Sequence, residues 1–142
     1  KKNHVLTNIE SLDVTLKLLE EDFEGLMFVN LIEFDMIYGH RNDPRGYADA
    51  LEQFDSYIPE IQKRLKPGDL VVITGDHGVD PTTPGTDHSR EYVPLLAFGP
   101  NIKHGVDLGD RGSLGDIAGT LAEMFSLEPQ PIGQSFLRDV VQ

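Results

Sequence analysis

Residues 70–74, "LVVIT", form a short β-branched run that stops abruptly at Gly75-Asp76-His77-Gly78. A run that is apolar at every position, rather than at alternate ones, is what a strand covered on both faces carries. Two further runs share this character, "LMFVNLIEF" at 26–34 and "VPLLAFG" at 93–99; Pro94 places the last at an edge or at its start, where a missing N–H does no harm. Between the first two, Tyr47, Ala50, Leu51, Phe54, Ile58, Ile61 and Leu65 recur at helical spacing over 46–65, and "KPGD" at 66–69 supplies the stop. Helical patterns also run over 8–21, on Ile9, Leu12, Leu16 and Leu19, and over 116–125, on Ile117, Leu121 and Phe125, with Ser113 or Asp116 as cap. The resulting order predicts an α/β fold, a layered α/β/α core with a mostly parallel sheet. A chain of 142 residues suits one domain. Three strands make a thin sheet, and the opening residues bring neither an initiator Met nor a first strand, so the expectation is a piece of a longer chain.

Composition narrows the class. Acidic residues number 24 against 12 basic ones, for a formal net charge of −12, which repels nucleic acid and anionic lipid and excludes both as expected partners. No apolar stretch reaches the roughly 20 residues of a membrane helix, and "KKNHVLTNIESLD" lacks the apolar centre of a signal peptide. Cysteine is absent, removing disulfides, thiolate metal sites and cysteine nucleophiles together, in keeping with a cytoplasmic protein. An anionic substrate would need something local and strongly positive to reverse this field, and bound metal ions do that.

Ligands of a parallel α/β sheet bind beyond the carboxyl ends of its strands. Asp35 and His40 follow the first run, Asp76 and His77 the second, and His88 lies in the loop leading to the third. Carboxylates with imidazoles are a donor set for Mn or Zn, whereas Ca takes oxygen alone. Neighbours on a strand point to opposite faces, so Asp76 and His77 need backbone freedom to converge, which Gly75 and Gly78 offer; Gly39 permits a tight return before His40. Two divalent ions offset by two aspartates leave a positive charge suited to a phosphate dianion, and such a pair about 4 Å apart is the usual clamp for phosphoryl transfer. The competing reading is a polar loop that merely leaves the sheet. Asp87 reads as a turn-forming residue. His4 and His104 read as surface residues. Arg41, Arg45 and Arg90 are near enough in sequence to touch phosphate, but solvated or structural arginines are the safer reading. The glycines of "GHRNDPRGY" do not match a phosphate-binding P-loop.

"FDMIYGHRND", "ITGDHGVDPTTPGTDHSRE" and "VPLLAFGP", in this order and spacing, together with "GDRGSLGDIAGTLAEMF", resemble the C-terminal part of the phosphopentomutases, members of the alkaline phosphatase superfamily. The resemblance implies an isomerase of pentose phosphate metabolism that interconverts the 1- and 5-phosphates of ribose and deoxyribose. It implies two divalent metal ions, Mn preferred, with Asp35, His40 and His88 on one and Asp76 and His77 on the other. It further implies a phosphothreonine enzyme with a sugar bisphosphate as intermediate and activator. The threonine nucleophile, a further metal-ligand Asp and a substrate-binding cap are expected in segments this chain does not contain. Thr74, Thr82, Thr83 and Thr86 lie outside the nucleophile's motif. The whole chain, 1–142, is therefore expected to be the C-terminal part of a metal-binding catalytic core, without mutase turnover by itself.

Glu33, Tyr38 and Asn42 depart from the family pattern without removing a ligand. Cofactor-independent phosphoglycerate mutases and phosphodiesterases of the same superfamily are the alternatives among enzymes; the former place the first Asp and His one residue closer. A non-catalytic metal-binding module and a metal-free structural fragment are the alternatives outside enzymes.

Overall fold

The computed structural model describes residues 2–129 and 131–142. The chain forms two compact units, one of residues up to Lys66 with His77–Val93, the other of Pro67–Asp76 with Pro94–Gln142.

In the first unit, helix α1 (Asn8–Leu19) begins with a capping box. The Thr7 hydroxyl accepts from the Glu10 amide at 3.2 Å while the Glu10 carboxylate accepts from the Thr7 amide at 3.2 Å, so orphan donors of the first turn are satisfied reciprocally. The buried stripe is Asn8, Ser11, Leu12 and Thr15, a more polar face than the apolar periodicity predicts. Burial there is tolerable because Ser11 and Thr15 donate their hydroxyls to the carbonyls of Thr7 and Ser11, at 3.0 and 2.7 Å.

The apolar run at 26–34 is not a strand. Its residues up to Leu31 have no regular structure, and the chain then closes into a π-helical turn, Phe34–Gly39. A strand exists only where a neighbour pairs with its backbone, and among the described residues none does. Leu26 and Phe28 stand 62% and 83% exposed, far from the two-sided burial that their composition suggests.

Helix α2 (Pro44–Gln62) starts earlier than its apolar pattern indicates, because Asp43 caps the Gly46 amide at 2.9 Å and Pro44 takes the first helical position. It packs on α1 and on the π turn. The Phe34 and Tyr47 rings lie 5.3 Å apart, and Tyr57 donates to Asp13 at 3.1 Å. Asn8 and Glu33 exchange side-chain-to-backbone bonds of 2.6 and 3.1 Å, which ties the start of α1 to the residue preceding the turn.

In the second unit, β1 (Val71–Thr74) and β2 (Leu95–Phe98) pair antiparallel, with Val71 opposite Phe98 and Thr74 opposite Leu95. This corrects the expected parallel sheet. A parallel pair needs a crossover, usually a helix, and residues 75–94 contain none. Helices α3 (Gly115–Met124) and α4 (Leu137–Val140) follow. Ile102, Phe136 and Val140 form the core, with Leu70, Leu95, Ala97, Leu108 and Ile117 packed against them. Asp116 is no cap but a buried anchor: its carboxylate accepts from the Gln134 amide and from Arg111 Nε, both at 2.8 Å. The α/β class is thus kept, as mixed helix with a small antiparallel sheet. No helix among the described residues is long and apolar enough to cross a membrane.

Candidate metal centre

Asp35 lies in the first turn of the π helix and His40 closes it, the His40 amide donating to the Asp35 carbonyl at 2.9 Å. One extra residue per turn is what distinguishes this register from an α-helix. It brings residues five apart over one another, so the Asp35–His40 spacing is that of a single π turn. Gly39 is buried in that turn, and a side chain there would meet a Val79 methyl at 2.7 Å.

His77 and His88 flank the neck of one loop. The neck is the antiparallel bridge between Gly78 and Ser89, with the Ser89 amide donating to the Gly78 carbonyl at 3.2 Å. Gly78 is needed here for closeness rather than for backbone freedom. Neither Gly75 nor Gly78 takes a positive φ, while a Cβ at Gly78 would lie 2.6–2.7 Å from backbone atoms of Ser89 and Glu91. Pressed together in this way, the His77 and His88 rings stack with centroids 3.6 Å apart and planes 19° from parallel; the His40 ring lies 4.9 Å from that of His88.

All three imidazoles turn Nε2 toward the Asp35 carboxylate: His88 at 3.3 Å from Oδ1, His40 at 3.4 Å from Oδ2 and His77 at 4.0 Å from Oδ1. These separations exceed an ordinary hydrogen bond of about 2.7–3.2 Å. Two ligands each about 2.1 Å from one ion stand roughly 3.0–3.5 Å apart at octahedral or tetrahedral angles, which is the spacing seen for His40 and His88. One donor atom from each of Asp35, His40 and His88 falls within a 4.8 Å group. Asp35 Oδ1 is buried and has no hydrogen-bond partner, an expensive arrangement unless a cation meets it. His40 Nδ1 faces the Thr86 carbonyl, holding its proton there and leaving the Nε2 lone pair toward Asp35. The donor set fits a divalent cation. Burial pushes the Tyr47 hydroxyl pKa up, and the nearby Asp35 charge adds to it.

Asp76 is exposed and belongs to the second unit. Asp87 is exposed; the turn-forming aspartate is instead Asp80, whose Oδ1 accepts from the Thr82 amide at 2.8 Å and its hydroxyl at 2.6 Å. Those bonds hold the Asp80 carboxyl below its usual pKa. His4, His104, Arg41, Arg45 and Arg90 are all exposed. Asn42, noted in the sequence only as a departure from the family pattern, donates its Nδ2 to the Thr83 carbonyl at 2.7 Å and has a φ of +51°. A residue between His40 and a helix cap carries no distinctive signal of its own.

The family model described as the Metalloenzyme superfamily matches residues 2–129. The chain is 61% identical over 138 residues to a phosphopentomutase of Herpetosiphon aurantiacus, covering 97% of this chain and 35% of that protein. It is 57% identical over 133 residues to a phosphopentomutase of Carboxydothermus hydrogenoformans, covering 94% and 34%. Against a phosphopentomutase of Caldanaerobacter subterraneus subsp. tengcongensis it is 52% identical over 137 residues, covering 96% and 35%. The chain spans about a third of the length of the curated relatives it matches. With nine-tenths of its residues inside the family model, the chain belongs to the Metalloenzyme superfamily.

Proposed function

We propose that this chain is the C-terminal part of the catalytic core of a cytoplasmic phosphopentomutase, interconverting ribose and deoxyribose 1-phosphates with their 5-phosphates. The observation that carries the reading is the unpartnered Asp35 Oδ1 beneath the Nε2 atoms of His77 and His88, in a chain 61% identical to a phosphopentomutase. Asp35, His40 and His88 would hold one divalent ion, and Asp76 with His77 the second, with Mn preferred. Bound ions supply positive charge and a Lewis-acid hold on phosphate oxygens.

The chain's own residues prepare the site. Asp35 contributes negative charge and an oxygen donor from inside the turn. His40 is kept in one tautomer by the Thr86 carbonyl. The His77–His88 stack limits the directions each ring can take. Much of the acidic surface, at net −12, would be overcome only at short range, so phosphate is recognised at the metals rather than steered from afar. The threonine nucleophile, the cap and the binding of a sugar bisphosphate activator are assigned to residues outside this chain.

Calorimetric Mn titration of the chain tests the ligand assignment: binding should be lost in Asp35→Ala and His88→Ala, and affinity retained in both variants would overturn it. The full-length protein should convert ribose 1-phosphate to ribose 5-phosphate with Mn and a sugar bisphosphate. Release of free phosphate without isomerised product would instead place it among the hydrolytic members of the superfamily.

A further inference from the structure

We infer that Asn42 is a positioning residue: its side-chain amide fastens the loop flanked by His77 and His88 to the turn that bears Asp35 and His40. This rests on the metal reading proposed above, and adds a residue that the ligand set does not contain.

The four donor residues reach the site on two separate pieces of chain. Asp35 and His40 share the π turn, while His77 and His88 share the neck at Gly78 and Ser89. Something must set the distance between the two pieces. Among the described residues, hydrogen bonds across 41 and 46 positions of sequence do so: Asn42 Nδ2 to the Thr83 carbonyl, and His40 Nδ1 to the Thr86 carbonyl. The second is made by a ligand itself, so it cannot serve as an independent support. Asn42 is the member that touches no metal-facing atom and spans the gap.

Both ends of the Asn42 bond are held. Its amide donates to the Gly39 carbonyl at 3.1 Å and the next amide, of Asp43, to the Tyr38 carbonyl at 3.0 Å, which pins Asn42 at the exit of the π turn. Thr83 is pinned by the Asp80 turn, its amide and hydroxyl both donating to the Asp80 carbonyl, at 3.2 and 2.9 Å. The residue type follows from two demands. At φ +51° the position is left-handed, which Asn tolerates better than most residues with a Cβ. The partner is a carbonyl, so the side chain must donate. Asp meets the first demand and fails the second; Gly meets the first and has no side chain. Backbone in an uncommon conformation, retained where it aims a side chain at a second loop beside a candidate site, is where strain serves function.

Asn42→Gly separates the bond from the backbone, because glycine removes the amide and relieves the left-handed conformation. Mn affinity of the full chain, measured by calorimetry, should fall about tenfold or more, as when an outer support of a metal ligand is removed. The urea midpoint of the metal-free chain should stay unchanged or rise. Hydrogen exchange in residues 79–88 of the metal-free chain should quicken about fivefold for the lost bond. Affinity within twofold of the parent, or a midpoint that falls in step with affinity, overturns the positioning role. Should the parent chain itself take up no Mn, the metal reading fails, and exchange then decides the clamp alone: quicker exchange upholds it and unchanged exchange refutes it.

Discussion

Gly78→Ala probes the neck that brings His77 and His88 together. The added methyl would lie 2.6 Å from both the amide nitrogen and the carbonyl oxygen of Glu91, and 2.7 Å from the Ser89 carbonyl oxygen. Ordinary contact begins near 3.4 Å, so these atoms must retreat by about 0.8 Å. All three are backbone, which cannot swing aside as a side chain would. Overpacking of this kind costs about 1–3 kcal/mol, and loss of the Ser89–Gly78 hydrogen bond adds about 1 kcal/mol, so a total near 3 kcal/mol is expected. The geometric consequence matters more for function. On the proposed ligand assignment the two histidines need to be held within about 0.5 Å of their working positions, and a shift of about 0.8 Å in the neck exceeds that. Mn affinity should therefore fall at least tenfold. Urea denaturation and calorimetric Mn titration of the same preparation measure the two effects, with circular dichroism to establish that the variant is folded. Gly112→Ala is the control, since a methyl there meets nothing within 4 Å. An alanine at position 78 that leaves both the midpoint and the affinity of the parent intact would refute the account of why glycine stands between the histidine and its loop.

In the second unit, Thr120 is 1% exposed and its hydroxyl accepts from the amide of Phe136, itself fully buried, at 3.0 Å. Thr120→Val preserves shape but orphans that amide, and should cost about 1–3 kcal/mol in urea denaturation; a neutral result would mean the Phe136 amide finds another partner. Asp116 is held below its usual carboxylate pKa first by the Gln134 amide and then by Arg111, against the opposing effect of burial. A depressed folded pKa contributes stability that is present in full above the unfolded value near 3.8 and is lost as pH falls through the folded one. Acid denaturation should accordingly steepen below about pH 4, and Asp116→Asn should flatten that limb; an identical limb in the variant would show that other carboxylates carry it.

The sequence by itself determined what depends on near neighbours. The apolar repeats place α1 and the body of α2, and "KPGD" marks the end of α2, because helix hydrogen bonds join residues only a few positions apart; the caps at Thr7, Glu10, Asp43 and Pro44 are read from the structure. One group of side chains was legible too: Asp35, His40, His77 and His88 are chemically conspicuous, and the structure turns their polar atoms toward one another. What only tertiary structure decided is everything that needs a distant partner. An apolar run at 26–34 is strand-like in composition, yet among the described residues no backbone pairs with it, and up to Leu31 it has no regular structure. The runs at 70–74 and 93–99 carry no mark of direction, and they pair antiparallel because no crossover helix lies between them. Gly78 and Asn42 read in sequence as loop residues. Their work, a close backbone approach and one hydrogen bond across 41 positions, is set by chain segments that local pattern does not connect.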